Sequence, residues 1–227
     1  MELALAIQNS ADRTTTPPRH QLRPIGGRLK RSFDVCAAII ALVLLLPLIL
    51  SISAIIFSLN GGPVIIRHRR IGHAGESFGC LKFRTMVKNA EDVLARHLRE
   101  DPKAAEEWEK QRKLCKDPRV TKIGSILRKT SLDELPQLLN ILNGDMSLVG
   151  PRPIVEDEIP KYGSAVRLYL QARPGLTGAW QVNGRSDIEY QKRVALDSDY
   201  LTNWSLKTDV IIILRTLPAV IKARGVY

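Results

Sequence analysis

The segment VCAAIIALVLLLPLILSISAIIFSL runs from Val35 to Leu59 and decides the architecture. No charged residue occurs between Val35 and Ile66. A helix of this length can cross the apolar part of a bilayer, and helices of soluble cores rarely stay apolar on every face for so long. Pro47 stands near the middle, where it removes a backbone hydrogen bond. Arg28, Lys30 and Arg31 precede the segment, and Arg67, Arg69 and Arg70 follow it. Such residues mark the cytoplasmic side of a membrane helix, so a simple span would put one cluster on the wrong side. The expectation is a re-entrant hairpin over residues 28–62 that enters, breaks at Pro47 and returns. Ser51 and Ser53 would help to satisfy freed carbonyls.

Around this segment the chain divides into a polar tail (1–27), a cytoplasmic catalytic domain (63–205) and an amphipathic C-terminal helix with its tail (206–227). The tail holds only the short apolar stretch LALAI, with Glu2 where a signal peptide carries basic residues. The chain has 227 residues and a net charge of +11, which points to an anionic partner: nucleic acid, an anionic membrane or a phosphorylated substrate. Cys36, Cys80 and Cys115 are scattered without a CxxC pair, which argues against a disulfide framework and a thiolate zinc site.

The soluble part reads as α/β in the α+β sense, helix-dominated and without a long parallel-sheet pattern. PVIIRHRRIG and SFGCLKFRTM read as strands, the second alternating apolar and polar from Phe78 to Met86. VKNAEDVLARHLRED and KAAEEWEKQRKLC read as charged helices separated at Asp101-Pro102. MSLVG is strand-like, and residues 188–200 are helical in pattern. In SLKTDVIIILRTLPAVIKARGVY, Lys207, Arg215 and Lys222 fall within about 80° of a helical wheel. Leu206, Val210, Ile213, Leu214, Leu217, Val220 and Ile221 share another arc, and Pro218 is expected to interrupt the helix. Such a helix suits an anionic membrane surface, or packs on the protein's own core.

The chemistry centres on KTSLDELPQLLN, Lys129 to Asn140. Ser131 to Glu134 fits a capping box, with Ser131 as N-cap and Glu134 three residues on. With Asp133 as the cap instead, Pro136 falls where no helical donor is needed. Either way one carboxylate has a structural explanation. The neighbourhood supplies another, because Arg128 and Lys129 with a helix N-terminus favour an ionised carboxylate and attract phosphate. An ionised Asp is a competent nucleophile toward phosphorus, and a second carboxylate can act as base or help hold Mg2+. In GPRP, Gly150 to Pro153, two prolines fix the backbone around Arg152, which can pair with phosphate through two parallel bonds. Lys82 lies in LKFRTM, and Arg173 and Arg185 lie in ARPGLTGAWQVNGR among glycines that let backbone approach a ligand. No GxGxxG, Walker A, HExxH or GxSxG pattern occurs, which disfavours Rossmann, P-loop, zincin and serine-hydrolase chemistry.

In this order, GPVIIRHRRIG, LKFRTM, LRKTSLDELPQLLNILNGDMSLVGPRP and RPGLTGAWQVNGR resemble the bacterial monotopic phosphoglycosyl transferases, sugar transferases that start exopolysaccharide and related glycan assembly. The resemblance runs from about Lys30 to Tyr227. KRSFDV, RVALDSDYLTNWSL and the RGVY ending are similar to the family's short, exopolysaccharide-initiating members. One departure is Gly178-Ala179-Trp180-Gln181-Val182, where many members read GWAQV.

The resemblance implies transfer of a sugar 1-phosphate from a UDP-hexose, galactose before glucose, to undecaprenyl phosphate. UMP is released, Mg2+ is used, and an aspartyl phospho-sugar forms on the way. It places the catalytic dyad on Asp133 and Glu134, with Asp133 also at the metal. It places phosphate-binding cations on Lys82, Arg128 and Arg152, and the membrane helix break on Pro47. Arg173 and Arg185 join the phosphate-binding set from the reading above. The implied setting is the bacterial inner membrane, upstream of other exopolysaccharide glycosyltransferases, without nucleic acid, with homo-oligomerisation open. Two rivals use the same features: a membrane-tethered binder of nucleic acid or anionic lipid, and a phosphatase acting through the same Asp.

Overall fold

A computed structural model describes residues 23–111, 114–184 and 189–221. Most of the expected N-terminal tail, Arg185 and Lys222 lie outside the described residues. Helix α1 (Gly27–Asn60) holds the apolar segment as one element of 34 residues. No turn separates two arms at Pro47, which lies inside the helix. Losing one N–H frees only the carbonyl four residues back, so the helix continues on either side of Pro47. The serines act differently from expectation. Ser51 Oγ donates to the Pro47 carbonyl at 2.8 Å and Ser53 Oγ to that of Ile49 at 2.7 Å, neither of them the carbonyl that Pro47 deprives. Such bonds four residues back tend to bend a helix.

Most of α1 has no protein around it. Ile40, Val43, Leu44, Leu46 and Leu50 are exposed. Its two ends, however, are held by the same domain. Near the start, Ala38 packs in a cluster with Cys80, Leu138, Ile141 and Met146. Near the end, Ile52 and Ile56 pack with Phe83 and Leu127.

Strands β1 (Ile65–Ile71) and β2 (Ser77–Phe83) form an antiparallel pair in which Ile66 faces Lys82, His68 faces Cys80 and Arg70 faces Phe78. The charged helices follow as α2 (Ala90–Glu100) and α3 (Pro102–Gln111). Helix α4 (Lys122–Lys129) is capped by Thr121, whose side chain accepts the Gly124 N–H. A Cβ on Gly124 would stand 2.0 Å from the Thr85 carbonyl oxygen, so only glycine lets α4 lie this close to the chain after β2. After a short turn come α5 (Gln137–Asn143) and β3 (Ser147–Val149). Short helices α6 (Ile159–Tyr162) and α7 (Val166–Tyr169) lead to β4 (Gly175–Thr177), which pairs in parallel with β3. Then come α8 (Ala179–Val182), α9 (Tyr190–Thr202) and α10 (Leu206–Ile221). The α+β class, dominated by helices around two small sheets, is as the sequence implied.

Helix α10 runs through Pro218, so the expected interruption does not divide it. It packs on the domain along one face and leaves apolar residues outside. Asp209 and Ile212 are buried against the domain, whereas Val210 and Leu214 remain exposed.

Candidate active site

The dyad segment does not cap a helix in either of the two ways its sequence allows. Ser131 sits at φ 57° in the left-handed region and its side chain makes no cap bond. Leu132–Glu134 form a single 3-10 turn, and α5 begins only at Gln137, with Pro136 at its N-cap. Pro136 supplies no N–H, so the tight turn ends before the helix begins. A residue without glycine's freedom in the left-handed region stores strain, which tends to be kept where function needs it.

Released from capping, both carboxylates turn to Lys82 on β2. Its Nζ donates to Glu134 Oε1 at 2.6 Å and stands 3.5 Å from Asp133 Oδ2. Asp133 is 8 % exposed. Burial pushes its carboxyl above the ordinary value, and Glu134 adds to this, while Lys82 and Arg128 pull against it. Cations alone would favour the ionised form; burial outweighs them and leaves a more basic carboxylate than the sequence implied. Burial also opposes the Lys82 ammonium, but Glu134 and Asp133 outweigh it and hold its pKa above that of an ordinary lysine.

Arg128, at the last turn of α4, donates from Nε to Thr85 Oγ1 at 2.9 Å. It acts electrostatically on Asp133 and on His68. His68 shares the sheet face of Lys82. Burial, then Arg70, Lys82 and Arg128, lower its pKa, so it is neutral in a cationic setting. Cys80, paired with His68, is pushed up to about 11 by burial and is an inert thiol.

The structure therefore joins Asp133, Glu134, Lys82 and Arg128. It puts Arg152 and Arg173 elsewhere. Arg173 Nε donates to the Gly144 carbonyl at 2.7 Å, beside the end of α5. The Arg152 guanidinium lies over the Trp180 ring, 5.5 Å from its centroid, with Arg193 also over that ring at 5.2 Å. The glycines expected to admit a ligand admit backbone instead. A Cβ on Gly175 would lie 2.1 Å from the Gly150 nitrogen, which is how β3 and β4 come together beneath the Pro-Arg-Pro turn. Thr85 and His68 were missed although both stand in the quoted motifs; a hydroxyl and a neutral imidazole give no pattern until the fold shows what they touch.

Among the described residues no group of three or more His, Cys, Asp or Glu gathers as a metal site. The dyad nevertheless suits Mg2+, which takes carboxylate oxygens together with substrate phosphates. Asp133 and Glu134 already converge on one cation, the Lys82 ammonium.

A carboxylate dyad against the partly buried Lys82 and Arg128 thus stands on a small domain that carries an exposed apolar helix. The chain belongs to the bacterial sugar transferase family, whose sequence model matches residues 25–223. Among curated proteins it is 57 % identical over 206 residues to the exopolysaccharide production protein ExoY of Rhizobium meliloti, covering 91 % of each chain. It is 50 % identical over 199 residues to the undecaprenyl-phosphate galactose phosphotransferase of Salmonella typhimurium, covering 88 % of this chain and 42 % of that one. It is 43 % identical over 206 residues to the UDP-glucose:undecaprenyl-phosphate glucose-1-phosphate transferase of Caulobacter vibrioides, covering 87 % of this chain and 72 % of that one.

Proposed function

We propose that this chain moves a hexose 1-phosphate from a UDP-hexose to undecaprenyl phosphate, as the first membrane step of exopolysaccharide synthesis at the cytoplasmic face of the bacterial inner membrane. The observation that carries it is the freed, buried Asp133 held against Lys82, with no cap to serve. Family membership and the activities for which the relatives are named support the donor and acceptor classes. Those names divide between galactose and glucose. Galactose is the preferred reading.

In the first step an Asp133 carboxylate oxygen attacks the donor's β-phosphorus. An O–P bond forms, the bond to the bridging oxygen breaks, and UMP leaves with the electron pair. In the second step a phosphate oxygen of the lipid attacks the same phosphorus and expels Asp133 as carboxylate. The Lys82 ammonium and Arg128 guanidinium face the reacting phosphoryl group and take up its developing charge. The acceptor phosphate is already anionic at neutral pH, so Glu134 serves mainly to hold Lys82. Asp133, with Glu134 beside it, would hold Mg2+, whose chemistry is to neutralise the donor's diphosphate. Arg152, away from the dyad, serves the nucleotide end of the donor.

The re-entrant course of α1 is part of the proposal. A straight helix of this length would be about 50 Å long. Arg31 donates to the carbonyls of Ile141 and Leu142 near its start, and Arg84 donates to those of Asn60 and Gly61 at its end. One domain holding both ends fits an entry and an exit on the same side of the membrane.

The test incubates membranes containing the protein with radiolabelled UDP-hexoses and undecaprenyl phosphate, then extracts lipid. Label enters the lipid fraction with one hexose, and Asp133→Asn abolishes it. Label that stays in water with every sugar refutes the transferase, and release of free sugar phosphate would show a hydrolase instead.

A further inference from the structure

In Pro151-Arg152-Pro153 only Arg152 has a backbone N–H, because proline lacks one. That single donor is taken by Asp197 of α9, whose Oδ2 accepts it at 3.2 Å and faces the Tyr162 hydroxyl at 3.5 Å. Asp197 is 1 % exposed, and its other oxygen, Oδ1, has no hydrogen-bond donor among the described residues. Burying a carboxylate for so few bonds costs stability, so a shape-filling role does not account for it. The guanidinium next to that pinned amide is differently placed. Among the described residues it makes no close ion pair; its charge reaches Asp197 at longer range, and it rests over the Trp180 ring.

The turn lies at a definite place relative to the dyad. Ile154, just after it, bridges to Ile71 at the end of β1, and Ile66 near the start of β1 faces Lys82. These strand positions are about 17 Å apart along the chain. An extended nucleotide sugar with its reacting phosphorus at Asp133 can reach back toward Arg152 with its other end.

We propose that Asp197 is a positioning residue for the donor: by holding the Arg152 amide it fixes the Pro-Arg-Pro turn, so that the guanidinium stands over Trp180 to receive the nucleotide end. The assignment rests on the transferase reading for its substrate, not for its geometry.

The experiment compares full-length wild type, Asp197→Ala, Arg152→Ala and the double variant in detergent or nanodiscs. Donor KM, acceptor KM, kcat and UDP affinity are measured on each. Asp197→Ala raises donor KM and weakens UDP binding about tenfold, the scale of one lost hydrogen bond to a charged group, with acceptor KM unchanged. The double variant is no worse than Arg152→Ala alone, because Asp197 acts through that residue. Asp197→Asn, which keeps an accepting oxygen, restores most of the affinity. Where the Ala variant does not fold, Asp197→Leu fills the same space without an acceptor and is read the same way. Unchanged donor KM and UDP affinity in a folded variant overturn the proposal, as do losses that simply add. Wild type that binds UDP but transfers no sugar refutes the transferase reading while leaving the Asp197 cycle to be read on UDP affinity. Wild type that binds no UDP overturns both.

Discussion

Asp133 is buried beside a like charge, and Lys82 and Arg128 offset that. Since its pKa lies above the ordinary carboxylate value, the nucleophile of the proposed function is lost on the acid side earlier than a surface Asp would be. Replacing Lys82 by Met removes the largest offset. The acid limb of the kcat/KM profile then moves to higher pH; a move to lower pH would show that Lys82 does not support the anion. On the proposed function, Asp133→Asn lowers turnover by about a thousandfold or more in the lipid-loading assay, since the proposed covalent bond to phosphorus is made by Asp133. Asp197 gives a separate linkage. Burial pushes it up to about 7, with Arg152, Tyr162, Tyr169, Tyr190, Glu158 and Arg193 around it. A folded pKa above the unfolded one stabilises the fold in acid, and that contribution is lost as pH rises through about 7. Asp197→Asn therefore raises Tm at pH 8 more than at pH 5; an equal change at both would refute the assignment. At this scale the motifs made Asp133, Glu134, Lys82 and Arg128 legible. They did not show that Ser131 leaves the helical region, because the cap pattern and the observed turn share the same residues.

The elements are joined by buried charge as much as by apolar packing. Lys30 of α1 donates to Asp209 of α10 at 2.7 Å, and Asp209 also accepts from the Tyr200 hydroxyl at 2.6 Å and from Trp204 Nε1 at 3.2 Å. Asp209 is 0 % exposed. Asp34, one turn beyond Lys30, accepts from Ser147 Oγ and the Leu148 N–H, tying α1 to β3. Removing one partner strands a buried charge. Asp209→Ala lowers stability by about 3–5 kcal/mol, whereas Lys30→Met with Asp209→Leu recovers most of it in a denaturation series. Gly124→Val drives a side chain into the Thr85 carbonyl, pulling α4 and Arg128 away; its loss of activity should exceed its loss of Tm. Periodicity located most of these elements. It did not reveal that charged residues in KRSFDV and SLKTDV meet, since a pair 179 positions apart leaves no local signal. Nor did prolines 47 and 218 break their helices, because each costs one bond, which the long ladders on both sides of Pro47 and the ladder before Pro218 sustain.

Across the whole molecule, the apolar residues left outside the core are not confined to α1. Ile126 of α4 is 56 % exposed, Leu214 of α10 is 61 % exposed, and Leu139 and Val210 are exposed as well. Exposed apolar surface on this scale marks an interaction face, and with α1 it suits the boundary layer of a bilayer. Leu214→Lys and Ile126→Asp together should shift protein from the membrane pellet to the supernatant only partly, α1 holding the rest, while lowering turnover on membrane-bound acceptor. Cysteines placed at Arg28 and Arg67 should both be shielded from external thiol reagent in intact cells. Labelling of either one would exclude an entry and exit on one side. Composition and charge made the anionic setting legible, but not which helices carry the outward apolar residues.

The arginine on each end of α1 has a kinetic consequence. With both ends tied to the domain, Asp133 and Lys82 cannot tilt or rise independently of α1, and on the proposed function their height above the lipid is set once by insertion. Enzyme and the proposed lipid acceptor would then meet by lateral diffusion within a surface, and the relevant concentration is molecules per unit area. Diluting vesicles in buffer at fixed lipid composition should leave the acceptor-limited rate per enzyme unchanged, whereas diluting the acceptor with inert lipid at constant bulk amount should slow it.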